Sequence, residues 1–229
     1  GLQMKSVGEV MGIGRSFNEA LQKACQSLEI NRHGLGADGT GWHKVDDIIY
    51  SLEHPSWDRI FHVKDALKLG LPIQTIHNHT KIDKWFLTEI QKLVGMEQEL
   101  RRHSLKNLSP DFMLDLKQNG FSDYQIAHIL GNVTAEEVYE TRKEMGVKRI
   151  YKMVDTCSAE FAAKTPYFYS TFERPAQDSN GNEITASESI VSNKKKILVL
   201  GSGPNRIGQG IEFDYSCVHG VLASKESGY

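Results

Sequence analysis

The sequence predicts a mainly α-helical protein that ends in the first βα unit of a further α/β domain. Between residues 16 and 147, helix-capping patterns recur in front of short segments with apolar residues at helical spacing. Residues 194–220 run from three lysines through a short apolar stretch and a glycine-rich turn into a helix-like segment. Turn glycines of this kind let a strand pass tightly into a helix. Only nine residues follow Gly220, so we expect the second domain to be truncated.

The first predicted helix begins at a capping box, in which two side chains three positions apart satisfy the free N–H groups of the first turn. Ser16 and Glu19 have this spacing, and the helix is predicted to run to about Glu29. The polar, glycine-rich residues 31–41 then interrupt the helical pattern. This stretch is the first candidate domain boundary.

Three helices are predicted before the middle of the chain. Two lie near residues 45–52 and 58–69, and Gly70 is expected to end the second. The longest predicted helix follows, and its apolar residues form one stripe that is typical of core packing. The residues of the stripe are Ile82, Phe86, Ile90, Leu93, Val94 and Leu100.

Three smaller helices follow, each with a start signal and a stop signal. The starts are an N-cap serine followed by proline, and two further capping boxes; the stops are glycines. The starts are Ser109 with Pro110, Ser122 with Gln125, and Thr134 with Glu137, and the stops are Gly120, Gly131 and Gly146.

Helical patterning weakens beyond residue 147. Residues 167–172, YFYSTF, are predicted to be extended. Residues 176–193 are rich in Ser, Asn and Glu and are interpreted as a surface linker, where the second domain boundary is placed.

The glycine-rich turn near the C-terminus permits two interpretations from its spacing. Gly201 and Gly203 match the first two glycines of a dinucleotide-binding fingerprint, but Arg206 stands at the third glycine position. The Gly-Lys-Ser/Thr ending of a phosphate-binding loop is also missing. A nucleotide-binding turn and a plain strand-to-helix turn therefore both remain open.

Composition limits the class of protein. A net charge of −2 and a pI near 6.5 provide no bulk attraction to nucleic acid or anionic membranes. The three cysteines, Cys25, Cys157 and Cys217, are far apart and lack metal-ligand spacing, which favours reduced thiols in the cytoplasm. No signal-peptide pattern and no apolar run of about 18 residues is present. We expect a cytoplasmic protein without a membrane contact.

A helix-turn-helix module is the rival interpretation of residues 121–147, since two short helices flank a glycine there. A DNA-reading helix needs cations for phosphates and base edges. The second helix instead has four acids and two bases, so we expect no nucleic-acid partner. Those residues are Glu136, Glu137, Glu140, Glu144, Arg142 and Lys143.

His77 and His79 raise the question of a metal site. Residues two positions apart do not share a helix face, and no third ligand follows at a suitable spacing. They are interpreted as surface or helix-end histidines, and no metal site is predicted.

Longer strings resemble one enzyme family. Residues 201–215, GSGPNRIGQGIEFDY, closely resemble the start of the second synthetase half of the carbamoyl phosphate synthetase large subunit. Residues 3–15, QMKSVGEVMGIGR, resemble the closing segment of its first ATP-grasp unit. Residues 82–87 and 154–161 resemble its middle domain, and all four strings occur in the family's order.

The resemblance implies a division into three parts. Residues 1–32 would be the tail of the first, carboxyphosphate half; residues 33–194 the helical oligomerisation domain ending in the linker; and residues 195–229 the start of the second half, a pre-ATP-grasp domain. The parent enzyme would make carbamoyl phosphate from bicarbonate, ammonia and two ATP, for arginine and pyrimidine synthesis. A glutaminase subunit would supply the ammonia. ATP and Mg²⁺ or Mn²⁺ would bind in the parent, outside these residues.

The resemblance therefore implies no catalytic, cofactor-binding or metal-binding residue in this chain, which would form homo-oligomers through its helical domain and be inactive alone. It also implies that carbamate crosses the interior of the parent enzyme between its two active sites. A shielded path protects an unstable anion from water. The residues associated with this passage are Met4, Glu9, Arg206, Gly210 and Glu212.

Overall fold

A computed structural model of the chain describes most of its length. The described residues are 9–41, 45–177, 179–181, 183–184, 186–201, 203–205 and 212–229. Within these ranges, helices dominate and strands are few, which confirms the mainly α-helical fold class. The helices are α1 (Phe17–Ser27), α2 (Val45–Glu53), α3 (Arg59–Lys68), α4 (Ile73–Thr80), α5 (Lys84–Leu100), α6 (Pro110–Gln118), α7 (Asp123–Leu130), α8 (Ala135–Glu144) and α9 (Glu212–Glu226).

The predicted caps form at the starts of α1, α6, α7 and α8. The Ser16, Ser109, Ser122 and Thr134 side chains each accept a backbone N–H from the first turn of the helix that follows. The glycines predicted to stop helices have positive φ, a conformation open to a residue without Cβ. Because these signals are local, the sequence predicted most helix boundaries to within one or two residues.

Helix α4 and strand β1 (Ile150–Met153) were not predicted from the sequence. Helix α4 is short and has Pro72 as its N-cap residue, so it lacks the side-chain cap that predicted the starts of α1, α6, α7 and α8. Strand β1 is only four residues long and pairs antiparallel with β2 (Phe168–Thr171), with Ile150 opposite Thr171. The extended prediction for residues 167–172 is confirmed by β2.

Residues 176–193, interpreted as a surface linker, contain some regular structure, and the domain boundary placed there stays a prediction. Two strands of two residues each, β3 (Ala176–Gln177) and β4 (Glu183–Ile184), pair as a short antiparallel hairpin. The chain then lies along the free edge of β1. Glu188 donates its backbone N–H to Tyr151, and its carboxylate accepts the N–H of Met153 at 2.6 Å. An edge strand such as β1 leaves backbone groups without a partner strand, and the contacts of Glu188 provide hydrogen bonds for some of them.

A single apolar core joins the helices from α1 to the residue after β2. Its members include Cys25, Ile48, Val63, Ile76, Ile90, Met113, Ile126, Val138 and Phe172. Residues 31–41 also contribute, because Leu35 is completely buried. The candidate boundary in this stretch remains a prediction, but the core is continuous across it.

The stripe predicted for the longest helix was wrong at Phe86, whose side chain is 42% exposed. The neighbouring Leu87 is fully buried instead and lies on the face shared with Ile90 and Val94. The apolar pattern allowed either residue to face inward, and packing against α3 and α4 selects Leu87.

The apolar run at residues 197–200 adopts no strand pairing among the described residues. Ile197, Leu198 and Leu200 are exposed, and α9 carries exposed apolar side chains as well. A parallel strand needs neighbouring strands and covering helices, and a single βα unit has neither. No helix within the described ranges combines the length and apolar character needed to cross a membrane.

Candidate assembly surface and junction

Three aromatic side chains form an exposed cluster, here called the aromatic patch: Phe17, Trp85 and Phe86. The ring centroids of Phe17 lie 5.3 Å from those of both Trp85 and Phe86, and the latter two are 5.0 Å apart. Trp85 is 54% exposed. Such edge-to-face contacts hold the three rings together as one surface feature.

The patch arises where two helices begin side by side. Ser16 caps α1 and makes Phe17 its first residue, while the Asp83 carboxylate accepts the Trp85 N–H at 2.8 Å at the start of α5. The buried Leu87 fixes the rotation of α5, so Trp85 and Phe86 face outward. An exposed group of large apolar rings on a stable helix pair is typical of a protein-binding surface.

A second feature joins the two ends of the chain. Glu9 and Asn205 exchange two backbone hydrogen bonds, with N···O distances of 2.7 and 2.9 Å. The backbone of Gly203 approaches the Glu29 carboxylate so closely that a Cβ there would lie 3.0 Å from Oε1. The residues before α1 thus lie against the glycine-rich turn before α9; we call this contact the junction.

The segment before α1 is fixed by charged side chains of that helix. Lys23 donates to the Ile13 carbonyl at 2.9 Å and to the Ser170 carbonyl, and it pairs with Glu19 at 2.8 Å. Arg15 pairs with Glu173 after β2, also at 2.8 Å. The junction is therefore anchored to both α1 and the β1–β2 pair.

Of the five residues predicted for the passage, two lie in described parts of the chain. Glu9 takes part in the junction, and Glu212 is the first residue of α9. Met4, Arg206 and Gly210 lie outside the described residues. Glu9 is thus brought beside the glycine-rich turn, a contact across nearly the whole sequence that no local pattern encodes.

His77 and His79 lie in the last turn of α4, as the helix-end interpretation predicted. His77 Nδ1 is 2.7 Å from the Ile82 carbonyl oxygen, and His79 Nδ1 is 2.8 Å from Glu53 Oε1. Across the described ranges, no group of three or more His, Cys, Asp or Glu side chains is arranged for a metal ion.

Helices α7 and α8 form the hairpin that suggested a helix-turn-helix. The outer face of α8 exposes Glu136, Glu137, Glu140 and Glu144. Its inner face contributes Val138 and Arg142 to the interior. The acidic outer face of α8 therefore repels a nucleic-acid backbone.

Sequence reasoning missed two buried charge clusters. Lys64 of α3 pairs with Glu97 of α5, and both side chains are nearly inaccessible. Asp123 of α7 pairs with Lys117 at 2.7 Å and with Arg142 at 3.0 Å. Charged side chains are rarely buried unless they are paired. Only an acid and a base at matching positions on apolar faces would have indicated burial from the sequence.

Family comparisons agree with this architecture. A model described as the oligomerisation domain of the carbamoyl-phosphate synthetase large chain matches residues 9–146. A second, described as the carbamoyl phosphate synthase preATP-grasp domain, matches residues 193–229. The fold and these matches define the class as a helical oligomerisation domain followed by the start of a preATP-grasp domain.

Whole-chain comparisons give the particular family. Proteins named carbamoyl phosphate synthase large chain from Archaeoglobus fulgidus, Nostoc sp. and Halomonas eurihalina are 47%, 48% and 46% identical over 234, 228 and 229 residues. These alignments cover 99–100% of this chain and 20–21% of each relative. The chain belongs to the carbamoyl phosphate synthase large chain family and spans about a fifth of the length of these relatives, as the sequence resemblance predicted.

Proposed function

We propose that this chain is the middle part of a carbamoyl phosphate synthase large chain, where it brings subunits together and links two synthetase halves. The aromatic patch carries this proposal. Phe17, Trp85 and Phe86 present apolar area to solvent on a domain whose family model is described as an oligomerisation domain. Burial of such rings against a second copy would supply the free energy of association.

The parent enzyme, on this proposal, is an ATP-dependent ligase of the cytoplasm that serves arginine and pyrimidine synthesis. It makes carbamoyl phosphate from bicarbonate, glutamine-derived ammonia and two ATP, with Mg²⁺ or Mn²⁺ at ATP-grasp sites and a glutaminase subunit as partner. The family membership supports this activity. The ATP-grasp residues would lie outside residues 1–229, so the chain alone is expected not to hydrolyse ATP.

Self-association can be tested by sedimentation velocity over about a hundredfold range of protein concentration, since assembly follows mass action. We expect Trp85→Ser to weaken association by about tenfold or more, the usual effect of truncating a central aromatic side chain in an interface. Trp57→Ser is the matched control, because Trp57 is 60% exposed and is not one of the three rings of the patch. Equal association of the Trp85→Ser variant and the unaltered chain would refute a role for the patch.

An ATP hydrolysis assay on the same samples tests the second half of the proposal. The chain is expected to show no hydrolysis that depends on bicarbonate, whatever its state of association. Activity that co-purifies with the 229 residues and increases with bicarbonate would show that a complete site exists here.

The junction favours a second role, in which both ends of the chain help to line a passage for carbamate. The backbone pairing of Glu9 with Asn205 supports it, since it brings one predicted passage residue next to the turn that precedes Arg206, Gly210 and Glu212. Met4 would complete the lining from the preceding segment. A glycine at position 210 would keep such a passage open.

Replacing Gly210 with leucine in the full-length parent tests this role. We expect loss of overall carbamoyl phosphate synthesis while both partial reactions, bicarbonate-dependent ATP hydrolysis and ATP synthesis from carbamoyl phosphate, are retained. Gly95→Leu is the control, because Gly95 is exposed on α5 with open space around it. Normal overall synthesis by the Gly210→Leu enzyme would exclude the passage.

A further inference from the structure

A cleft lined by cations lies between α8 and β1, and none of its lining residues belongs to the aromatic patch or the junction. Its volume is about 430 Å³, and we call it the basic cleft. Its lining has one acid, four cations and two phenol rings. The residues are Asp123, Tyr139, Arg142, Lys143, Lys148, Arg149 and Tyr151.

Asp123, the one carboxylate that lines the cleft, is already paired with buried cations. Asp123 Oδ1 accepts from Lys117 Nζ at 2.7 Å, and both of its oxygens accept from Arg142 Nε at 3.0 Å. Arg142 also donates to the Val147 carbonyl at 3.2 Å. Two cations thus share one anion in the floor of the cleft, which leaves an excess positive charge there.

The rim of the cleft carries three exposed cations, of which Lys143 has an acidic partner. Within the described ranges, the acidic partner of Lys143 is the exposed Glu140, at 3.2 Å. Lys148 and Arg149 are exposed, and neither forms an ion pair with any residue that the structure describes. Arg149 lies near the Phe172 ring, 5.9 Å from its centroid, which leaves its guanidinium donors available.

The electrostatic state of Lys117 reflects the same excess of positive charge. The pKa of Lys117 is lowered to about 8, chiefly by burial; attraction to Asp123 opposes this shift, and repulsion from Arg142 and Arg149 adds to it. Repulsion among cations at this point means that an added anion would be stabilised there.

The phenol rings give the cleft a fixed shape. The Tyr139 ring lies 4.7 Å from the Arg142 guanidinium and 5.6 Å from the Lys143 ammonium, so it holds both cations by cation–π contact. Tyr151, on β1, leaves part of its ring exposed at the opposite wall. A neighbouring cavity of about 470 Å³ shares Asp123 and Arg149 with the basic cleft.

We propose that the basic cleft binds a small, multiply charged oxyanion of the phosphate class. Arginine forks and lysine ammonium groups are the usual ligands of phosphate oxygens in proteins, and a cleft with several of them concentrates such anions. The exposed half-rings of Tyr139 and Tyr151 would allow a planar group attached to the phosphate to stack. The site is separate from the assembly surface and does not depend on the proposed function.

Isothermal titration calorimetry of the full chain with inorganic pyrophosphate tests the proposal. We expect saturable binding of one anion that weakens as salt is raised. Arg149→Gln and, separately, Lys148→Gln are expected to weaken it by about tenfold, the usual effect of removing a charge-assisted hydrogen bond. Both side chains are exposed, so the fold is retained; a thermal melt of each variant checks this.

Arg101→Gln is the matched control, because Arg101 is an exposed cation at the end of α5 outside the cleft. Its variant should bind pyrophosphate as the unaltered chain does. NMR of the labelled chain should place the largest amide shifts at residues 148–151. Absence of saturable binding at low salt, or equal loss in Arg101→Gln and Arg149→Gln, would overturn the proposal. Saturable binding of a glutamate-rich peptide without binding of pyrophosphate would also overturn it, in favour of an acidic protein segment.

Discussion

A buried ion pair helps to fix how α3, α5 and the glycine-rich residues 31–41 pack together. The Lys64 and Glu97 side chains are 3% and 2% exposed and pair inside the core. A Cβ on Gly36 would lie 2.8 Å from Lys64 Nζ, and Gly36 has φ of +79°. The ion pair therefore needs a glycine above it, for space and for backbone conformation.

Lys64→Met is expected to lower the free energy of unfolding by about 3–5 kcal/mol, because it leaves the Glu97 carboxylate buried without its cation. The double variant Lys64→Met/Glu97→Leu should recover most of that loss, since it removes both charges and retains apolar volume. Urea unfolding monitored by circular dichroism measures both. If the double variant loses as much as the sum of the two single variants, the pair is not coupled as described.

The buried thiol of Cys25 makes the free energy of unfolding depend on pH. Burial raises the pKa of its thiol from 9.0 to about 11, so the folded chain keeps a proton that the unfolded chain releases near pH 9. The stability contributed by Cys25 is therefore complete below pH 9 and is lost as pH rises to 11. The difference in unfolding free energy between the unaltered chain and Cys25→Ala should decrease by about 2 kcal/mol over that range.

Thiol labelling offers an independent check of the same environment. Cys157 and Cys217 are partly exposed, whereas Cys25 is buried. With iodoacetamide at pH 8, mass spectrometry should find Cys157 and Cys217 labelled well before Cys25. Labelling of Cys25 at the rate of the other two would contradict its burial.

At the scale of elements, two capping serines show which contacts of a helix start can be predicted from local sequence and which cannot. Ser109 and Ser122 both cap a helix through an N–H of the first turn, and both caps were predicted from spacing. Ser122 has a second task, because its hydroxyl donates to the His33 carbonyl at 2.8 Å. That bond ties α7 to the glycine-rich stretch.

Replacing Ser109 and replacing Ser122 should therefore lower the free energy of unfolding by different amounts. Ser109→Ala is expected to cost about 1 kcal/mol, the usual value for a lost N-cap. Ser122→Ala should cost about 2 kcal/mol, since it loses the cap and the bond to His33. Thermal and urea unfolding of both variants measure the difference, and equal costs would show that the His33 contact contributes nothing.

For the whole molecule, the path of residues 9–15 over α1 decides whether the two ends of the chain meet. A Cβ on Gly12 would overlap the backbone carbonyl oxygen of Ala20, and a Cβ on Gly14 would lie 2.9 Å from the Ala20 nitrogen. The segment can lie this close to α1 only because these positions lack side chains. The junction between Glu9 and Asn205 depends on that approach.

Gly12→Ala is expected to displace the segment from α1 and break the junction while the helical core stays folded. Hydrogen exchange should show faster exchange at the Glu9 and Asn205 amides, by about tenfold or more for loss of their hydrogen bonds. Gly95→Ala is the control, because a Cβ there meets nothing within 4 Å. Unchanged protection at Glu9 in Gly12→Ala would show that the approach to α1 is not needed for the junction.

The sequence by itself determined the features that act over a few residues. Caps such as Ser16, Ser122 and Thr134, and stops such as Gly131, set the order and limits of most helices, because capping depends on groups within one turn. The strings resembling one enzyme family identified the family that the comparisons show.

Only the tertiary structure decided which side chains face inward and which distant residues meet. It buried Leu87 and exposed Phe86, placed Lys64 beside Glu97, and joined Glu9 to Asn205. Each outcome depends on a partner far away in the chain, and helical spacing alone permits more than one face to be buried. The aromatic patch and the basic cleft belong to this second group, since each is assembled from elements whose proximity is created only by packing of the core.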